Sequence, residues 1–369
     1  MRARTGFALH ACALLRTGLA VLAIWLAPAT SPAFAQYEPS YPDEVVEEEV
    51  PDTSGAPYPA EFSPFSAGDA RSWANAAALY TAQPDLAHCT AGVLRTEAKA
   101  AFLSAFNALR ALHGLAPVRY NAAADRAAGE AAMIMAANDA LSHDPPPSWK
   151  CWSAAGAGAA GSSNLLGGVS SPYLGYEDDN AILAEWLIEG DSDAIGHRRW
   201  LFDPYLDQTA FGRFIAVLPG GERVDSAVMK VFDFPANSPV DPPVDSGPND
   251  WRRTRSQGTI PEFVAWPQGE YPRVFFSPRA RFSFSISQNP ADVDAPGAPD
   301  FSDAVVSISD GDHLLPVRDQ LWDNEGYGVA NCLSWRIDGI VPGKTYAVTI
   351  SGIRGAPRER YAYTFRITG

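Results

Sequence analysis

Beyond its N-terminal segment, this 369-residue chain has no apolar run approaching the ~18 residues that a membrane-crossing helix needs. Basic residues are in short supply: 28 Lys and Arg stand against 43 Asp and Glu, for a net charge of −15. A surface of that sign repels phosphate backbones and excludes a nucleic-acid partner. Only four cysteines occur and none forms a C-x-x-C pair, so a structural zinc knuckle has no support. No G-x-S-x-G elbow surrounds any serine, Ser163 included, and the glycine-rich stretch 156–168 lacks the Lys-Ser/Thr of a phosphate loop. No internal repeat is visible. What is present is an ordinary globular balance, 46% hydrophobic and 19% charged, with enough length for about two domains. The 30 glycines and 31 prolines predict many turns and linkers.

Arg2, Arg4 and Arg16 precede an apolar run over 18–27, and Ala33-Phe34-Ala35 has the small-x-small form of a cleavage site. Residues 1–35 therefore read as a secretory signal peptide, which places the mature protein outside the cell or in a periplasm. The run ends at Pro28 and is too short for an anchor. Cys12 lies before it, the wrong side for a lipidation box. Cleavage removes three arginines and no acid, taking the net charge to −18. Among Cys89, Cys151 and Cys332, three single bridges are possible in an oxidising compartment. The pair Cys89–Cys151 is favoured because both fall in one domain.

Residues 36–70 hold nine acids, no base and six prolines, a composition that predicts a disordered linker. Residues 71–236 read as a first domain. Phe102, Phe106, Leu109 and Leu112 mark a buried helical face, which Gly114 ends. Asn121 can cap a second helix through Ala140, and Asp178 or Asp179 a third through Glu189. Small residues over 153–171 predict a long loop. Segments 210–218 and 224–233 flank Pro219-Gly220-Gly221 as a hairpin. A Pro-rich linker over 237–250 precedes residues 251–369, where 281–287, 304–309, 333–337, 345–350 and 361–367 read as strands of a small β-sandwich. The whole is α+β, with two independently packed cores and a monomeric state expected.

Histidine is sparse, so its positions carry weight. His143 follows the second helix, Glu189 ends the third, and His197 lies in Gly196-His197-Arg198-Arg199. Two imidazoles and a carboxylate suffice as zinc ligands with one open position, although here they come from separate elements. Trp149 and Trp152 either line a groove for a lipid or glycan or close a small core.

Several of these pieces, in order, resemble the CAP superfamily of cysteine-rich secretory, antigen 5 and pathogenesis-related 1 proteins, in its exported bacterial form with a β-rich C-terminal extension. They are Phe106-Asn107-Ala108-Leu109-Arg110, Gly114 through Val118, Leu141-Ser142-His143, Trp186-Leu187-Ile188-Glu189, Gly196-His197-Arg198-Arg199 and Phe211-Gly212, all within about 98–234. The resemblance implies an α-β-α sandwich with a cleft of two histidines and two acids that binds Zn²⁺ or another divalent cation. His143, Glu189 and His197 match three of those positions. The fourth, a Glu before an Asn, aligns with Ser163-Asn164, so Ser163 replaces the acid. A hydroxyl brings neither its charge nor its ligand strength.

The leading reading is an exported CAP-domain protein with a C-terminal Ig-like sandwich. Its cleft, with Ser163, Asn164 and Trp149 as further ligand contacts, binds a divalent metal and a lipid or cell-wall ligand. One alternative is a zinc-dependent hydrolase of peptides or peptidoglycan; the other makes the C-terminal domain an adhesion module.

Overall fold

Large apolar side chains at helical spacing build the first long helix. The computed structural model describes residues 73–190, 192–234, 260–287, 298–311, 313–326 and 328–369. The expected signal peptide and both linkers lie outside the described residues. A short hairpin, β1 (Tyr80–Ala82) with β2 (Val93–Leu94), leads into α1 (Thr96–Ala111). Phe102, Phe106 and Leu109 form its buried face. Gly114 then turns the chain at φ +66°, a left-handed value that glycine adopts without steric penalty.

After β3 (Arg119–Tyr120), Asn121 accepts from the Ala123 N–H and so caps a 3-10 turn rather than the helix itself. Helix α2 (Asp125–Asn138) continues from that turn and ends at Asn138, short of Ala140. The expected loop over 153–171 is a correction: it contains α3 (Ala154–Ala160) and β4 (Ser163–Ser171). Ser153 caps α3 by accepting from Gly156 N–H, and the small side chains let α3 press onto α2. A Cβ on Gly156 would lie 2.7 Å from Ile134 Cδ1. Asp178 caps α4 (Asp179–Ile188), followed by α5 (Gly196–Leu201), β5 (Gln208–Val217) and β6 (Arg223–Lys230).

These strands pair in the order β3-β5-β6-β4, with β3 parallel to β5 and the rest antiparallel. Alternation assigns the two faces of the sheet. Phe214, Val224 and Val228 pack under α2 and α3, while Phe211 and Met229 pack with α1 and α4 residues such as Phe102 and Trp186. Helices thus cover both faces. Gly212 is where α2 crosses, since a Cβ there would strike the Ala128 carbonyl. The disulfide joins Cys89 to Cys151, and Cys332 is a buried thiol.

The C-terminal region is two sheets. One is β11 (Leu314–Leu315), β10 (Val305–Ser309), β14 (Thr345–Ser351), β15 (Arg360–Thr368) and β8 (Gly269–Pro272), with β15 and β8 parallel. The other is β12 (Val317–Asp323), β13 (Cys332–Ile337), β9 (Phe282–Ile286) and β7 (Phe263–Trp266). Aromatic contacts join them, Phe282 to Phe365 at 5.5 Å and Phe284 to Tyr361 at 5.2 Å between ring centroids. In place of two separate cores, one apolar cluster runs from Phe102 through Met229 to Ile367. All described residues belong to one compact unit. Among them no helix is long and apolar enough to cross a membrane.

Candidate functional site

The end of α4 and the start of α5 set one half of the site. Glu189 follows Ile188 in the left-handed region, φ 42°, which returns its carboxylate onto the first turn of α5. There it accepts from His197 N–H at 3.2 Å and Arg198 N–H at 2.9 Å. The free N–H groups of a helix start favour such an anion. The same Oε1 lies 3.2 Å from His197 Nδ1, so Glu189 also orients that ring.

His143 sits beyond α2, and its Nδ1 is 2.9 Å from the Ala160 carbonyl at the end of α3. A carbonyl only accepts, so Nδ1 carries the proton and Nε2 the lone pair. Burial pushes the His143 pKa down and outweighs the Ala160 hydrogen bond, and the electrostatic influence of the His197 position acts in the same downward direction. The ring is therefore neutral at pH 7, with His197 as its electrostatic neighbour.

Asn164, on β4, donates Nδ2–H to the His197 carbonyl at 3.1 Å. Its Oδ1 is buried with no hydrogen-bond partner. Ser163 is buried, and its hydroxyl donates to the Ala159 carbonyl at 2.6 Å. Trp149 is half-buried against the core under α2, beside Leu141 and Cys151. Glu189 and His197 are thus in contact, with His143 close enough to feel His197.

Each Glu189 oxygen already accepts from the α5 backbone, which makes Glu189 the cap of that helix first. Among the described residues, no group of three or more His, Cys, Asp or Glu is arranged to hold a metal ion.

Sequence reasoning missed the residues next to His197. Arg198 is fully buried and donates to the Leu187 carbonyl at 2.6 Å, Ile188 at 3.0 Å and Arg281 at 2.6 Å. Its guanidinium lies 4.0 Å from the centroid of the Trp266 ring. Arg199 pairs with Asp323 at 2.9 Å. Both arginines thereby tie the His197 turn to the C-terminal sheets. The available signal was their setting: two adjacent arginines directly before Trp200-Leu201-Phe202 must be paired if buried.

Residues 103–214 match the family model described as CAP: Cysteine-rich secretory protein family. The match runs from α1 into β5 and takes in His143, Glu189, His197 and both arginines, ending before the C-terminal sheets. No curated protein and no solved structure matches the chain.

Proposed function

Because the chain carries a CAP domain over 103–214, we propose that it is an exported binding protein whose cleft pair, His143 and His197, takes a divalent cation through two imidazoles. The supporting observation is that His143 Nδ1 bonds the Ala160 carbonyl and His197 Nδ1 lies 3.2 Å from Glu189 Oε1. In the neutral His143 ring the Ala160 contact puts the proton on Nδ1, so Nε2 is the nitrogen that would meet a cation. Glu189 then serves as orienter of His197 rather than as ligand. A bound cation would supply positive charge to an anionic group of a lipid or cell-wall ligand. The unpartnered Asn164 Oδ1 would accept a hydroxyl or amide proton from it.

Binding has more support than hydrolysis. A hydrolase needs a general base, and the carboxylate beside His197 is held by two backbone N–H groups as the cap of α5. The same reading takes 71–236 as the CAP-like domain and 251–369 as an Ig-like sandwich. The parallel pairing of β8 with the last strand favours that type. A free-standing adhesion role has less support, because the sandwich shares its core with the CAP domain.

Calorimetric titration of the full chain with Zn²⁺ at neutral pH tests the proposal. One site per chain is expected, with His143→Ala and His197→Ala each weakening it at least about 10-fold. Parent-like affinity in either variant refutes the paired-imidazole site.

A further inference from the structure

A second concave site lies away from the histidine pair. It is a cavity of about 530 Å³ between the β1–β2 hairpin, the first turns of α2 and strand β5. That size falls in the ~300–1,000 Å³ range of small-molecule pockets. None of His143, Asn164, Glu189 or His197 lines it. The hairpin loop that forms one wall is held down by the Cys89–Cys151 disulfide.

Its walls are mostly small and apolar, and Gly129 on α2 leaves room there. A Cβ on Gly129 would meet only Ala91 Cβ, at 3.6 Å, an ordinary van der Waals contact. Five charged residues are in the lining; one, Arg213, is buried with its guanidinium paired to Asp225 outside the cavity, which leaves four to face a ligand. Lys99 pairs with Asp125 at 2.6 Å, and Arg126 pairs with Glu130 at 2.6 Å. Asp125 and Arg126 are adjacent on α2, so the two ion pairs stand side by side with alternating sign.

We infer that this cavity recognises a small zwitterion with an apolar body, an apolar amino acid or dipeptide. With Arg213 neutralised by Asp225, two positive and two negative groups remain and balance. A ligand of either net sign would bring in a charge without a counterpart, which a partly enclosed apolar site penalises. A zwitterion brings one charge for each kind of partner. Its carboxylate meets Lys99 and Arg126, its ammonium Asp125 and Glu130.

Capacity for both ends is present. Lys99 spends one of three donors on Asp125, and Arg126 one of five on Glu130. Each carboxylate takes one further bond, Asp125 from the Tyr120 hydroxyl at 2.6 Å and Glu130 from Ser153 at 2.5 Å. A carboxylate has about four lone-pair sites, so both still accept. These hydroxyls also fix the acids in place before the ligand arrives.

Titration of the full chain with L-leucyl-L-leucine tests the inference. Binding at one site is expected, and N-acetyl-leucyl-leucine and leucyl-leucine amide, each lacking one terminal charge, should bind at least about 10-fold more weakly. Gly129→Leu, which fills the cavity from a position with room for a Cβ, should abolish binding. Arg126→Gln should weaken it, and because that side chain is 77% exposed the fold is not at stake. Thermal melts by circular dichroism confirm that both variants are folded. No binding by the parent, equal binding of a capped analogue, or binding that survives a folded Gly129→Leu would each overturn the proposal.

Discussion

Replacing Arg198 with Met tests whether the CAP domain and the sandwich are held together through the residue next to His197. Met keeps the apolar length and removes every donor. Three carbonyls, of Leu187, Ile188 and Arg281, then lose the guanidinium that reaches them at 2.6, 3.0 and 2.6 Å. An orphaned buried acceptor costs roughly 1–3 kcal/mol, or about 6 kcal/mol for three. Against that, burial holds the Arg198 pKa down to about 10. Keeping its charge inside therefore costs about 3 kcal/mol, which the substitution returns. The net expectation is a loss of about 3 kcal/mol, read as a lower urea midpoint of the full chain by tryptophan fluorescence. Arg198→Lys should recover little, because one ammonium lacks the planar fork that serves three acceptors. A loss under about 0.5 kcal/mol for Arg198→Met, or full recovery by Lys, would refute the clamp.

Two further outcomes follow from buried chemistry. His113 is fully buried between α1 and the sandwich, its Nε2 3.1 Å from the Tyr271 hydroxyl, and burial pushes its pKa down to about 3. A base depressed on folding stabilises fully above its unfolded pKa of about 6.5 and loses that stability as pH falls toward 3; by pH 5 the loss is about 2 kcal/mol. His113→Phe should therefore lose about that much less stability than the parent between pH 7 and 5, and parallel curves would sink the assignment. The Cys89–Cys151 bridge spans 62 residues, a loop whose closure is worth about 4 kcal/mol in the chain-entropy account. The Cys89→Ser/Cys151→Ser chain should unfold at a correspondingly lower guanidinium midpoint, and an unchanged midpoint would rule that account out here.

How far the sequence reveals the fold depends on side-chain size. Helix α1 is legible because Phe102, Phe106 and Leu109 are large and fall on one face. Helix α4 is legible through Asp178 at its start and Trp186 on its buried side. Segment 153–171 is opaque for the opposite reason. Its glycines, alanines and serines look like linker composition, yet smallness is what close packing on α2 requires. Gly156 faces Ile134, and Gly168 at φ +75° lies against the Ala140 backbone. Strand β12 hides in the same way, because a register shift between Arg318 and Leu321 breaks the alternation that would mark it. Non-local facts leave no periodic trace, so the cluster running from CAP core to sandwich could not be read from spacing.

The candidate site shows the same division. Residue types placed His143, Glu189 and His197 as a group to examine, but types do not say what each atom bonds. Glu189 looked like a ligand; its left-handed φ turns it into the cap of α5 and the orienter of His197. Ser163 looked like a loop residue where an acid was missing; at the start of β4 it is buried and donates to Ala159. The two arginines after His197 connect these observations. A six-residue helix has little stability of its own. Glu189 fixes its N-terminus from the α4 side, and Arg198 and Arg199 fix it from the sandwich side. The position of the His197 ring therefore depends on contacts with residues more than eighty positions away. Any ligand that needs His197 and His143 together draws on the sandwich as much as on the CAP domain.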